Sequence, residues 1–389
     1  MSHACRFGIE EEYFLSDAAS RGSVRKVSPK FIAAVQEAFP EEVQREMLQS
    51  QIEVATPVCE TMGEARRSLA ALRTGLASLG LEHGMLLLAC GTHPSAVWSR
   101  QRATDIARYD QLMRDLQMLG RRNQLCGMHI HVEVPDEDER IRLMGRIMPY
   151  LPLILALSTS SPFWQGQRTG LMGYRLSAYA ELPRTGLPEL FDSPAGYRAY
   201  VETLVSAGAI KDASYIWWAV RPSDKHPTLE LRVADSCTRL SDTLAIAALY
   251  RCLVHHLLCN PHVNAELPAA ARAIASENMW RAQRYGIHGG LISPESRSMR
   301  TVPDLLDELI DQLSGDAATL GCSDDLAACR EIVAMGTSAD MQLGVFEEAR
   351  GRGGQAAGLA AVVDWLATET RADGVTWSRE REPRLLGAA

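Results

Sequence analysis

Four short segments of this 389-residue chain alternate between apolar and chemically reactive side chains with a period of two. In FGIEEEYFLS (7–16), Phe7, Ile9, Tyr13 and Leu15 fall on one side of an extended strand, with Gly8, Glu10, Glu12 and Phe14 on the other. QIEVAT (51–56) sets Ile52 and Val54 against Gln51 and Glu53. GMHIHVEV (127–134) sets Met128, Ile130, Val132 and Val134 against His129, His131 and Glu133. TLELRV (228–233) sets Leu229, Leu231 and Val233 against Thr228, Glu230 and Arg232. That period belongs to strands, so the chain must build a sheet with one apolar, buried face. A solvated outer face would explain the other side, but such faces draw on a loose mixture of Lys, Thr, Ser and Gln. Here the polar faces hold E-x-E, H-x-H-x-E and E-x-R with no lysine, which fits a functional face better. Glu11 alone is misplaced among apolar neighbours, and it calls for a basic partner that the sequence does not identify.

Composition narrows the chemistry. The net charge is −8 and no long lysine or arginine run occurs, so nucleic acid is not an expected partner. MSHACRFGIE has no apolar signal-peptide core, and MLLLAC and LPLILALS are too short to span a bilayer. The nine cysteines are scattered, odd in number and without a CxxC pair, which points to reduced thiols in a cytoplasmic protein. Cys126, just before the histidine strand, reads as core packing rather than a reactive thiol.

MLLLACGTH and SYIWWAVRP add two further strands. Helices are expected over MGEARRSLAALRTGLASLGLEHG, DIARYDQLMRDLQML and DEDERIRLMGRIMPYLPLILALS. From about Ser241 the pattern turns helical, with SDTLAIAALYRCLVHHLLC, PDLLDELIDQLS and GGQAAGLAAVVDWLATET. RGRGGQAAG (350–358) lacks the GK[ST] ending of a phosphate loop and reads as a mobile loop. With no repeat, linker or boundary, the expectation is one α+β domain over 1–389.

Carboxylates with an imidazole are hard ligands suited to Mg²⁺ or Mn²⁺. HExxH is absent, and zinc would more often draw on three histidines or on cysteines. Several carboxylates could hold more than one divalent ion, a common way to neutralise a nucleotide triphosphate. Arg232, beside Glu230, suits a carboxylate or a transferring phosphoryl group. The combination suggests ATP use outside the P-loop folds.

The stretches GIEEEYFL, QSQIEVATP, GMHIHVEVP, ALSTSSPFWQGQRTG, WWAVRPSDKHPTLELRVADS, ENMWRAQRYGIHGG and GTSADMQL occur in that order over roughly residues 6 to 345. Together they resemble the carboxylate–amine ligases of the glutamate–cysteine ligase type 2 family, YbdK-like branch. The resemblance implies a glutamine-synthetase-like fold, a curved and mostly antiparallel sheet forming a funnel flanked by helices. It implies ATP-dependent joining of a carboxylate, typically the γ-carboxylate of glutamate, to an amine, with L-cysteine the first candidate, through an acyl phosphate. By that resemblance Glu10, Glu12, Glu53 and Glu230 are metal-ligand acids, with Glu46 a further candidate. His129 stands near metal and nucleotide as a catalytic and ligand residue, His131 is a second candidate for the nucleotide, and Arg232 binds phosphate or substrate. Relatives of this type also suggest a homodimer, although no exposed heptad or apolar seam is evident here.

Other candidates divide between function and structure. Trp164, Thr169 and Arg175, in SPFWQGQRTGLMGYR, suit a substrate-binding loop or ordinary turn chemistry. Arg168 stands where relatives often carry an acid. Arg221, at a strand end, suits a substrate contact or a structural ion pair. Arg281 and Arg284 lie three apart on one helical face, suited to the phosphates of ATP or to a solvated surface. His93 and His226 read as loop residues, and His255 and His256 as structural. A guanidino-kinase-like phosphotransferase and a non-catalytic nucleotide- or amino-acid-binding protein are the competing functions. The amine itself is not legible.

Overall fold

A computed structural model describes residues 3–105, 107–294 and 296–371. Its centre is a seven-stranded antiparallel sheet. The strands are β1 (Phe7–Asp17), β2 (Val43–Arg45), β3 (Gln51–Ala55), β4 (Met85–Leu88), β5 (Met128–Glu133), β6 (Val220–Pro222) and β7 (Thr228–Leu231). The order is β6-β7-β5-β1-β3-β2, and β4 pairs with the C-terminal half of β1. SYIWWAVRP does not form one strand. Trp217–Trp218 pairs in parallel with Thr185–Gly186, and only Val220–Pro222 joins the main sheet.

The apolar sheet face is covered by helices. The α1 helix (Met62–Glu82) starts at a capping box in which Thr61 and Glu64 satisfy each other's backbone N–H groups. The α2 helix (Glu137–Ile147) leads through a 3₁₀ turn into α3 (Leu151–Ser158), and α4 (Leu240–Cys259) is almost wholly buried. Glu137–Ser158 and Leu240–Cys259 are in fact long and apolar enough to cross a membrane. In each, however, 78% and 83% of the apolar window is buried inside the fold, so they serve as core helices. Ile9, Ile130, Val132, Leu229 and Leu231 from the sheet share one core with Leu244, Ala248 and Leu249 of α4.

Beyond α4 come α5 (Ala271–Tyr285), a hairpin of Gly290–Ser293 with Ser298–Thr301, α6 (Val302–Leu320) and α7 (Ser338–Arg371). The expected RGRGGQAAG loop is part of α7, broken only at Gly354, whose φ of 77° leaves the helical region. Glu347, Glu348 and Ala349 before the break and Ala356 and Ala357 after it favour helix, so the glycines produce a kink rather than a loop. Val362, Val363 and Leu366 of α7 pack with Phe14 and Leu88. Thus α7 plugs the second sheet face where β1 turns apolar, and leaves it open where β1 carries Glu10 and Glu12.

Glu11 is fully buried, and its partner is Arg73 of α1. The Arg73 Nε and Nη2 groups donate to the two carboxylate oxygens at 2.9 and 2.5 Å. Thr243 Oγ1 donates to Glu11 Oε1 at 2.7 Å and the Tyr13 hydroxyl to Oε2. Arg73 also donates to the carbonyls of Thr238 and Cys237 at 2.7 and 2.8 Å. Glu11 thereby bolts β1 to the helical layer and turns Glu10 and Glu12 toward the opposite face.

Candidate active site

The open sheet face forms a cleft of about 300 Å³, within the range of small-molecule sites. Cross-strand register assembles its floor. Glu12 lies opposite Glu53, Glu10 opposite His129, His131 opposite Glu230, and Glu230 opposite Arg221. Residues paired in this way project side by side, so five strands deliver one row of reactive groups. The helix Ala107–Leu116 adds a wall through Tyr109, Leu112 and Leu116.

The cleft is electrically divided. One end is acidic, with Glu10, Glu12, Glu46 and Glu53; the other carries Arg221, Lys225 and Arg232, while Arg175 lies close to Glu12. Two overlapping groups bring donor atoms close enough to share an ion: Glu10, His129 and Glu230, and Glu12, Glu53 and His129. His129 Nδ1 is 3.2 Å from Glu10 Oε2, and its Nε2 is 4.0 Å from Glu12 Oε1 and makes no hydrogen bond among the described residues. His131 Nε2 lies 3.4 Å from Glu10 Oε1, while its Nδ1 meets Thr228 Oγ1 at 2.9 Å.

These contacts set the protonation states. Burial pulls Glu10 upward, but His129 and His131 outweigh it and hold the carboxyl below its usual range. Burial, reinforced by Glu46, pushes Glu12 up to about 7. Burial and the charges of Glu46, Glu10 and Glu12 push Glu53 well above the usual carboxylate range. Burial and then Arg232 push His129 down to about 4, so this imidazole is neutral and able to ligate. Glu230 is opposed by burial yet held well below its usual range by Arg232 and Arg221.

A crowded set of acids that the fold strains to ionise, beside a neutral imidazole with an unpartnered nitrogen, fits one or more hard divalent cations. Cations and protons then compete for Glu12. Below pH 7, Mn²⁺ affinity is expected to rise about tenfold per pH unit for each proton displaced. Mn²⁺ titrations at pH 6 and pH 8 check this; equal affinities would contradict the assignment of Glu12.

At the basic end, Arg221 Nε donates to Glu230 Oε2 at 2.7 Å and Arg232 donates to Glu230 Oε1. Arg221 is also tied to the carbonyls of Ser214 and Ile216, so it forms a structural ion pair while lining the cleft. The Arg232 Nη2 group reaches the Tyr179 hydroxyl at 3.3 Å, and Nε has no partner among the described residues. Arg175 crosses beneath the cleft to the Ala234 carbonyl at 3.1 Å, with Asp235 Oδ1 4.0 Å away. Gly127 makes this passage possible, because a Cβ there would overlap the Arg175 guanidinium. The Gly127 N–H donates to Glu12 Oε2 at 2.6 Å, so one glycine serves both Arg175 and Glu12.

Glu10, Glu12, Glu46, Glu53, His129, His131, Arg175, Arg221, Glu230 and Arg232 therefore meet in one cleft. Four other candidates are not among its lining residues. Trp164 is buried against Leu125, Ala178 and Tyr174, supporting the short helix that carries Arg175. Thr169 spends its hydroxyl on the turn, accepting from the Leu171 N–H at 3.1 Å and facing the Pro162 carbonyl at 3.0 Å. Arg281 and Arg284 stack on Tyr285 at 5.5 and 5.0 Å, and Arg281 also donates to the Gly290 carbonyl. Their helix packs in the outer layer, so a shared helical face did not imply a shared site. Arg168 pairs with Glu347 outside the cleft.

Several lining residues escaped sequence reasoning. Tyr179 sits one helical turn from Arg175, a spacing that could have paired them. His226, read as a loop residue, lies edge-on to His131 with ring centroids 6.0 Å apart. Tyr109 and Lys225 carried no signal beyond their loop or helix context.

The family model for glutamate–cysteine ligase family 2 matches residues 6–361. The chain belongs to this family. A relative from Bradyrhizobium diazoefficiens, which carries the provisional name glutamate–cysteine ligase 2, is 46% identical over 364 residues, covering 94% of this chain and 84% of the relative. One from Rhodospirillum rubrum, similarly named, is 45% identical over 368 residues, covering 93% and 95%. Among solved structures, glutamate–cysteine ligase from Francisella tularensis in complex with AMP superposes with a TM-score of 0.70 at 13% identity, over 94% of this chain and 89% of that one. A bifunctional glutathione synthetase from Pasteurella multocida gives the same TM-score at 14% identity, with 94% of this chain spanning 52% of the larger protein. The family's fold is therefore this chain's fold, the glutamine-synthetase-like sheet with flanking helices. Membership makes the chain an ATP-dependent ligase of the carboxylate–amine type.

Proposed function

We propose that this ligase joins the γ-carboxylate of L-glutamate to an amine, with L-cysteine the first candidate, at the expense of ATP and with Mg²⁺. The observation that carries the reading is the division of one cleft into an acid cluster around His129 and an arginine cluster around Glu230. Glu10, Glu12, Glu53, His129 and Glu230 would hold the divalent cations, with Glu46 beside them. When bound, Mg²⁺ neutralises phosphate charge and polarises the transferring phosphoryl group.

The substrate carboxylate attacks the γ-phosphorus of ATP, forming an acyl phosphate and releasing ADP. The amine nitrogen then attacks the acyl carbon, phosphate leaves, and the ammonium-derived proton passes to solvent or to a cleft base. Arg232, with its free Nε, is suited to the equatorial oxygens of the transferring group, and Arg221 holds Glu230 so that Arg232 keeps its aim. Arg175, more deeply buried, acts as a positioning residue for the floor on which Glu12 rests. No protein nucleophile is needed, and a cleft closed around its substrates would protect the acyl phosphate from water. Nine free cysteines, eight of them buried, suit a reducing cytoplasm.

The test is phosphate release with ATP, Mg²⁺ and L-glutamate, with and without L-cysteine and a panel of amines, the products identified by mass. Amine-dependent release with a glutamyl amide is the expected result. A phosphorylated substrate without amide would favour the kinase reading, and binding without any phosphate release would overturn the ligase reading for these substrates.

A further inference from the structure

A second cluster of ligand-type side chains lies on the opposite side of the sheet from the cleft, where the end of α4 meets α6. His255 and Cys259 are four residues apart, one turn of α4, and both face Asp316 of α6. Asp316 Oδ1 is 2.6 Å from His255 Nδ1, and Cys259 Sγ is 3.9 Å from Nδ1 and 3.7 Å from Nε2 of the same ring. Cys259 alone among the nine cysteines is exposed, whereas His255 is buried.

We propose that His255, Cys259 and Asp316 form a binding site for a zinc-class divalent transition-metal ion, distinct from the catalytic cleft, that clamps the end of α4 to α6. The donor set supports that class. A thiolate with an imidazole and one carboxylate is a borderline-soft set that favours zinc, cobalt or nickel over Mg²⁺. Tetrahedral bond lengths require nitrogen–sulfur and nitrogen–oxygen separations of about 3.6 and 3.3 Å. The nitrogen that faces Asp316 is Nδ1, from which the sulfur stands 3.9 Å away, so binding requires the Cys259 side chain to swing toward the Nδ1 lone pair while the His255–Asp316 contact opens by about 0.7 Å as the ion replaces the shared proton.

The surroundings orient the ligands. Gln312 Nε2 can only donate, so His256 Nε2 accepts from it at 3.1 Å, and a neutral His256 carries its proton at Nδ1. That N–H donates to Asp316 Oδ2 at 2.9 Å, leaving Oδ1 turned toward His255. This is the outer-shell arrangement that fixes a metal-ligating carboxylate. A hydrogen-bonded pair alone would account for Asp316 and His256 but would leave the Cys259 thiol without a role. On binding, the thiol proton is released to solvent as the metal–sulfur bond forms, and a water completes the coordination on the exposed side.

The experiment uses the full chain, treated with chelator and titrated with Co²⁺. One equivalent should produce a near-ultraviolet thiolate-to-cobalt charge-transfer band, displaced by Zn²⁺ and absent in Cys259→Ser. The cleft, with its carboxylate and imidazole donors, cannot supply such a band. Asp316→Asn keeps the thiol and should weaken Co²⁺ binding at this site by about tenfold or more. No charge-transfer band in the parent protein, or a band that survives in Cys259→Ser, would overturn the site. Unchanged Co²⁺ affinity in Asp316→Asn would remove Asp316 from it.

Discussion

Glu12→Gln is expected to lose on the order of 10²–10³-fold in ATP-dependent turnover while the metal-free protein becomes more stable. The two halves of that result have one cause. The glutamine can still accept from the Gly127 N–H, as Glu12 Oε2 does at 2.6 Å, so local geometry is kept. What disappears is a negative charge that burial and Glu46 already disfavour, as the rise of this carboxyl to about 7 indicates. A folded-state value above the unfolded one means that the folded protein takes up the proton more readily. The carboxylate therefore costs stability in full above pH 7, and that cost fades as pH falls toward the unfolded value of 4.5. The variant's melting temperature should exceed the parent's at pH 8 without divalent ions, and the difference should vanish near pH 4.5. Added Mg²⁺ should raise the parent's melting temperature more than the variant's. Full turnover in the variant would remove Glu12 from the machinery. A lower melting temperature at pH 8 would instead mean that its charge is structurally required.

Arg73→Ala should be the most damaging change outside the cleft, costing about 3–5 kcal/mol because it strands the Glu11 carboxylate in the core. That is a large share of the roughly 5–15 kcal/mol by which natural domains are stable. Glu11 is opposed by burial and kept ionised chiefly by Arg73, so the loss of Arg73 leaves Tyr13 and Thr243 as the only side-chain donors to the carboxylate among the described residues. Thermal unfolding monitored by circular dichroism, together with soluble yield, reads the effect. The double variant Glu11→Met/Arg73→Met should recover part of the loss, since two apolar side chains leave no unpaired charge. If Arg73→Ala melts with the parent, the pair is not what fixes the facing of β1.

The strand faces were legible because alternation is a local property. Glu10 and Glu12, His129 and His131, and Glu230 and Arg232 sit two residues apart, and a strand of either register must send each pair to one side. The same logic exposed Glu11 as anomalous, but could not name Arg73, which is 62 residues away on a helix. Helical periodicity was less informative. Arg281 and Arg284 share a face, yet which layer that face meets depends on how α5 packs, and it packs away from the cleft. In RGRGGQAAG the glycines weaken the helix without ending it, because α7 gains its stability from Val362, Val363 and Leu366 against the sheet.

By itself, the sequence determined that a sheet would form with one apolar and one reactive face, and which acids and histidines that reactive face would carry. The ordered stretches along the chain also pointed to the family. Tertiary structure decided the rest: that Glu12 meets Glu53, that Glu230 lies between two arginines, that Arg175 passes under Gly127, and that Trp164 and Thr169 support the cleft without lining it. The physical reason is range. Side-chain facing follows from neighbouring backbone geometry, whereas the charge balance of a buried group is set by whatever distant segment the fold packs against it.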